Sequence, residues 1–491
     1  VGDGAAVIAG TGTIRLRGKG RLINIGSDKG KRQLTLDGVT LVGLPDNDNP
    51  LVGIGENSAL VLKSGAITGN THNRNDWAGG GGVEVWRGTF TMEGGEISGN
   101  SAQSKEGSGG GGVHIGEESV FTMSGGSITG NTSASDKWAG GGGVDMYQGT
   151  FTMEGGEISG NSANGKDGSG GGGVNIGEES VFIMSSGSIT GNSAREGGGV
   201  NMWHGTFTME DGTISGNRAE GKEGSGGGGV RVGESVFNKS GGAMSGNTSA
   251  SDKGADGGGV AVWRGTFTME DGTITGNSAN GKEGSGGGGV NIGDEAVFTM
   301  SGGAISGNTS TSDKWAGGGG GVVWRGTFTM EGGEISGNRA EGKEGSGGGG
   351  VRIGDEAVFT MSGGSITGNS ARGGGGVQIV EEAVFTMSGG EISGNSAEGK
   401  EGSIGGGVHI DEEAVFTMSG GTIYGKAGSL PAGTDASLAN SAQNGAALSL
   451  WNNTAKWGTG GTYTKGGASQ SGGSDIVTPG AGTDETLIAT P

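Results

Sequence analysis

Two sets of aromatic side chains recur at fixed places in this sequence. Trp86, Tyr147, Trp203, Trp263 and Trp324 fall about 61 residues apart, and Gly116, Gly177, Gly233, Gly293 and Gly354 hold the same position in the repeats between them. A second set, Trp77, Trp138 and Trp315, stands in loop segments such as D-K-W-A-G-G-G-G. A flat ring can stack on a sugar ring or on a partner's side chain, and exposed loop aromatics are good contact groups. The pattern also suits plain packing, with each ring laid over the glycine of the neighbouring repeat. Bases follow three of the rings (Arg87, Arg264, Arg325), and the intervening repeats carry acid pairs such as Glu117-Glu118 and Asp294-Glu295. These charges are expected to form solvated pairs that contribute little individually.

Residue types that support catalysis do not assemble into a site. His114 and His409 share a slot with Glu84, Asn175 and Arg231, and His204 shares one with Arg87. Slots that vary in this way read as surface positions. His72 lies in a loop without a matched partner. The sequence contains no G-x-S-x-G, no H-E-x-x-H and no Walker lysine, so the glycine runs read as turns rather than phosphate cradles. One Asp in each S-A-S-D-K loop is too little for a calcium site. The expectation is a protein without catalytic residues, cofactor or metal.

The elements that position the aromatics are set by a tandem repeat. All 12 phenylalanines occupy one slot, from Phe90, Phe121, Phe151 and Phe182 to Phe416, mostly 30 or 31 residues apart with two shorter steps. An Asn stands ten residues after each Phe, as at Asn100, Asn131, Asn161 and Asn192, until Lys426 takes that place in the last copy. Residues 113–131 read as three short strands, Val113-x-Ile115, Phe121-x-Met123 and a piece centred on Ile128, separated by glycine-rich turns. Alternation of period two puts each pair on one face. Strands this short bury those faces only by stacking on neighbouring copies. The fold expected is therefore all-β: a parallel β-helix with three strands per turn, about 30 residues per turn, capped at both ends. Phe and Met form its core, and the stacked asparagines form a satisfied ladder. The Asn-to-Val interval is normally 13 residues but is 8 at Asn192–Val200 and Asn369–Val377. That segment should project as a polar loop. Thr or Val precedes each Phe outside and Thr follows it in all copies but two, where Ile183 and Asn238 stand; this flat β-branched face suits strand pairing and also resembles the T-x-T face of ice-binding solenoids.

Composition limits the partners. With 52 acids against 31 bases the net charge is −21, which argues against nucleic acid and anionic membrane surfaces. No apolar run reaches membrane-spanning length, and with no cysteine there is no disulfide or thiolate metal site. The start at Val1 reads as a processed or excised region. Residues 1–56 are expected to form an N-terminal cap with diverged first turns, 57–425 the repetitive β-helix, 426–475 a last turn and cap, and 476–491 a flexible tail.

The units I-S-G-N-S-A…G-G-G-V and I-T-G-N-T-S…G-G-G-G-V resemble the repeats of polymorphic outer membrane proteins and related pectin-lyase-like autotransporter passengers over roughly residues 57–425. Here G-G-G-V stands for their G-G-A-I and I-x-G-N for their F-x-x-N, with Phe moved to a separate strand. The resemblance implies a right-handed β-helix displayed outside a bacterial cell and acting as a structural or adhesive element. Its implied partners are a cell-surface glycan or protein, with self-association a further class, and neither nucleic acid binding nor membrane insertion by this chain. A polysaccharide- or ice-binding module is the alternative, and a β-helix lyase or hydrolase the third.

Overall fold

A computed structural model describes residues 4–26, 31–399, 404–451, 454–477 and 481–490. The chain forms a parallel β-solenoid of about 14 turns, roughly 30 residues each, with three core strands per turn. It falls into two compact units. The first comprises Val1–Gly221 with Gly226–Ala243, and the second Lys222–Ser225 with Met244–Pro491.

One turn of the first unit shows the plan. Val113–Ile115, Val120–Met123 and Ser127–Thr129 pair in parallel with the next turn, matching Val113 to Val144, Phe121 to Phe151 and Ile128 to Ile158. Like residues therefore stack on like. The rings from Phe90 to Phe237 stack with centroids 4.6–4.9 Å apart and planes within 8°. That spacing is the distance between hydrogen-bonded strands. Each fully buried Phe, Met or Ile contributes about 1.5–3 kcal/mol. In the second unit Val297–Met300 pairs in the same way with Thr327–Met330, and Phe267 to Phe416 form a column with centroids 4.6–5.0 Å apart. One Met place in the first unit holds Lys239, fully buried, whose ammonium donates to the carbonyls of Gly241 and Gly242.

The asparagine ladder forms as the repeat dictates. Asn131 Nδ2 donates to Asn161 Oδ1 (3.0 Å) and to Ile97 O (2.9 Å), while its backbone N–H donates to Asn161 Oδ1 (2.9 Å). The pattern holds from Asn100 to Asn217 in the first unit and from Asn247 to Asn395 in the second. It does not end where the spacing does. Asn440 takes the place expected of Lys426, accepting from Asn395 Nδ2 at 3.2 Å across an excursion that holds the 3-10 turns Ala427–Ser429 and Ala436–Leu438.

Two expectations are corrected. The segment after each Asn is not simply a projecting loop. Thr132–Ser135 pairs with Ser101–Ser104 and Ser162–Gly165, and Trp138–Ala139 pairs with Gly107–Ser108 and Gly168–Ser169, so the loops build narrow parallel sheets of their own. Alanines on their inner side, Ala139, Ala163 and Ala194, form a small buried cluster. Nor is the region after residue 475 a free tail in its described part. Gly482–Thr483 runs antiparallel to Leu448–Leu450, and Leu487–Thr490 runs antiparallel to Thr462–Lys465, burying Leu487 and Ala489. Trp457 and Tyr463, both buried, stack beside it at 5.3 Å. At the other end, Gly4–Ala9 and Thr13–Arg15 are largely exposed.

Candidate binding grooves

The outward residue of each valine strand is the foundation of both grooves. In Val113-His114-Ile115 the valine and isoleucine enter the core, and period two turns His114 outward. The preceding glycine run then folds the chain back over it. A Cβ on Gly110 would lie 1.8 Å from Val113 O, and one on Gly109 would lie 2.9 Å from His114 Nδ1. Only a chain without side chains passes this close, which explains the run of three or more glycines before the valine strand of each regular repeat. The outward column thus becomes a covered floor.

In the first unit this floor is a polar chain. His114 Nδ1 and Asp145 Oδ2 are 2.9 Å apart, Asn175 Nδ2 donates to Asp145 Oδ1 (2.9 Å), and Asn201 Nδ2 donates to Asn175 Oδ1 (2.9 Å). All four residues are buried. Arg231 continues the column, 3.4 Å from Asn201 Oδ1, and its Nε pairs with Glu196 at 3.3 Å. Burial opposes a charge on His114, but the hydrogen bond and charge of Asp145, with Glu84 beyond, outweigh it and raise the imidazole pKa. His72 behaves oppositely. Burial lowers its pKa; Nδ1 meets Gly80 O at 3.1 Å and Nε2 has no hydrogen-bond partner among the described residues. The reading of the His114 slot as a variable surface position is therefore wrong. Its variation is that of a lined groove.

Aromatic walls rise on either side of this floor. Trp77 and Trp138 stand on the loop sheet; Trp86, Tyr147 and Trp203 stand at the far end of the valine strands. Together with His114, Asp145, Asn175, Glu178, Glu196 and Arg231 they enclose a groove of about 700 Å³. The five aromatics remain 41–48% exposed, and Trp77 meets His114 edge-on at 6.2 Å. Each Trp also lies over a glycine of the next turn: a Cβ on Gly116 would come 2.7 Å from Trp86 Cε3, and one on Gly168 would come 2.4 Å from Trp138 Cζ3. Packing and exposure are thus compatible uses of the same ring, one face each. Tyr147 is the exception, since a Cβ on Gly177 would meet no ring atom.

The second unit keeps the plan and changes the lining. Trp263 lies over Gly293, Trp315 over Gly345 and Trp324 over Gly354. Its floor holds Asn291, Val322, Arg352, Gln378 and His409. A groove of about 560 Å³ is lined by Trp315, Arg352, Arg372, Gln378, His409, Asp411 and Trp451 among others. His409 Nε2 and Gln378 Nε2 approach the two oxygens of Asp411 at 2.9 and 2.8 Å. Burial would raise the Asp411 carboxyl, but His409, Gln378 and Arg352 outweigh it and hold it below the usual carboxylate range. The Arg352 guanidinium lies 4.4 Å over the Trp324 ring, so that ring is covered where Trp203 is open.

The two shortened loops fall at equivalent places in the grooves. Arg195 N–H donates to Ser169 Oγ and its guanidinium to Asp167 O; Arg372 repeats this with Ser346 Oγ and Lys343 O. Outside the grooves the expected charge pairs form across turns, Arg87 with Glu117 at 2.8 Å and Arg325 with Asp355 at 2.6 Å.

No protein-family model, curated protein or solved structure matches the chain. What fold and grooves define is a class, a repeat-built parallel β-solenoid with side grooves.

Proposed function

We propose that this protein is a structural and adhesive β-solenoid, displayed outside a bacterial cell, that holds a cell-surface glycan in the aromatic groove of its first unit. One observation carries the reading: five aromatic rings with open faces line two sides of a groove whose floor is a hydrogen-bonded chain of polar side chains. Sugars present apolar C–H faces with hydroxyls at the rim, and ring stacking flanked by fixed polar groups suits both. Trp86, Tyr147 and Trp203 stand two turns apart, about 9–10 Å by strand spacing, which approaches the two-residue repeat of an extended β-linked glycan. The resemblance to autotransporter-type repeats supports display at a surface. In this reading the His114–Asp145 pair is a structural part of the floor rather than an acid–base catalyst.

A glycan array tests the proposal. The wild-type chain should bind a set of neutral glycans, and the Trp86→Ala and Trp203→Ala variants should lose that set while keeping the circular dichroism of the solenoid. Unchanged binding by both variants would refute it. The Thr/Val face supports an ice-binding reading less well, because its valines alternate with the threonines; that reading needs thermal hysteresis in solution.

A further inference from the structure

We propose that the second unit carries a separate site for an acidic sugar bearing one carboxylate, centred on Arg352. This inference does not rest on the aromatic groove, because it uses other residues and another charge.

Arg352 is half-buried on the groove floor, and its guanidinium covers the ring of Trp324 at 4.4 Å. Among the described residues it forms no ion pair within 4 Å and its side chain makes no hydrogen bond. Burial lowers its pKa, against the more distant charges of Glu381 and Asp411. A guanidinium stays protonated and presents five N–H donors in a planar fork. Its nitrogens are not buried away from solvent, so a ligand carboxylate can reach the fork without displacing a protein partner. The first unit differs: Arg231, on the same kind of floor, donates to Asn201 and pairs with Glu196. The shortened loop of the second unit carries Gly373 where the first carries Glu196; it lies between the turns of Arg352 and His409 and lines the groove without an acid. Among the described residues no acid of this loop pairs with Arg352. In the same wall, His409 Nδ1 is buried with no hydrogen-bond partner among the described residues.

The surroundings narrow the ligand. Arg352 and Arg372 face the groove together with Glu344, Glu381, Asp411 and Glu412, two cations against four acids. A dianion or a polyanionic chain would be repelled, as it would by a protein of net charge −21, whereas one carboxylate can take the Arg352 fork bidentately. The remaining acids and Gln378 suit hydroxyl donors. Trp315 and Trp451, 59% and 53% exposed, offer flat faces at the rim. A volume of about 560 Å³ is of a size for one or two sugar residues. An acidic monosaccharide, alone or within an otherwise neutral glycan, meets all of these conditions.

Titration calorimetry of the whole chain tests this. The probes are N-acetylneuraminic acid, methyl glucuronide, the neutral N-acetylglucosamine, sodium acetate and a short Glu-rich peptide. We expect at least one acidic sugar to bind in a way that depends on Arg352, and the neutral sugar to show no binding that depends on Arg352. Arg352→Gln should weaken acidic-sugar binding about tenfold or more, the loss of one charge-assisted bidentate contact, without lowering the melting temperature. Arg352→Lys should restore part of the affinity. Trp86→Ala and Trp203→Ala should leave this binding unchanged, so failure of the neutral-glycan groove would not be mistaken for failure here. The proposal is overturned if no acidic sugar binds, if N-acetylglucosamine binds equally in a chain carrying Trp86→Ala and Trp203→Ala, if Arg352→Gln keeps full affinity, or if acetate or the peptide binds as tightly as the sugars.

Discussion

The two units raise their grooves on the same backbone and line them with different arrangements of side chains. In both, a glycine run folds back over the valine strand, tryptophans rest on glycines of the next turn, and an arginine in a shortened loop binds carbonyls of the turn before. The first unit then sets Asp145, Asn175 and Asn201 on the floor and leaves its aromatic faces open. The second sets Val322, Arg352 and Gln378 there and covers Trp324 with a cation. A repeat that is uniform inside can therefore diversify outside without risk to the fold, because the core columns and the groove columns alternate along each strand. The core columns and the groove linings lie on opposite faces of the same three residues.

If the frame is common, damage to it should be equal in the two units. Asn161→Ala and Asn338→Ala each remove a buried amide that donates to a neighbouring Asn and an Ile carbonyl and accepts from the preceding turn. With several buried groups left unmet, each variant is expected to lose about 3 kcal/mol or more in urea unfolding. A large difference between them would break the comparison.

The linings should then differ. Trp203→Ala should weaken neutral-glycan binding about 30-fold, the scale of a contact hot spot, whereas Trp324→Ala, whose ring lies beneath Arg352, should not.

Acid titration separates the units by sign. The His114 pKa is raised, so the stability from its pairing with Asp145 is fully present below the ordinary imidazole value of about 6.5 and is lost as pH rises through the higher folded value. The destabilisation caused by Asp145→Asn should accordingly be large near pH 5.5 and shrink toward pH 9. The Asp411 pKa is lowered, so its contribution is present above the ordinary carboxylate value of about 3.9 and is lost as pH falls through the lower folded value. The effect of Asp411→Asn should shrink toward acid instead. His72, with a lowered pKa, opposes His114, so the measurement is the difference between each variant and wild type across pH.

The smallest effect concerns the turn after the rings. Arg87 and Arg325 adopt left-handed backbone, φ 53° and 50°, which glycine accepts without strain. Arg87→Gly and Arg325→Gly should each raise the melting temperature slightly, because relief of strain outweighs an exposed ion pair.

Much of this frame was legible in the sequence, and the reason is stacking. A parallel solenoid sets each residue against its copy in the next turn, so the Phe slot and the Asn after it report contacts directly. The Trp–Gly alternation was visible for the same reason, and the steric fit of Trp86 on Gly116 gives its cause. The floor was not visible. His114, Asp145 and Asn175 occupy an outward position by period two, and their burial comes from a glycine run folding back across the strand, a contact that strand alternation does not encode. The signal available was the recurring adjacency of a glycine run and the valine strand. Asn440 was missed because the ladder resumes 45 residues after Asn395, outside the repeat spacing. The described end of the chain was misread as a tail because its strands pair antiparallel with no repeat to announce them.

The central claim is that the first unit's open aromatic faces hold a glycan. It is tested most directly by titrating the glycan that binds best on the array into wild type, Trp203→Ala and Trp263→Ala, and reading affinity by calorimetry. Trp203 lines the first unit's groove and Trp263, equally exposed and equally seated on a glycine, belongs to the second unit. The account predicts that Trp203→Ala loses the glycan and Trp263→Ala binds it as wild type does. Equal loss in both variants, or no loss in either, would contradict it.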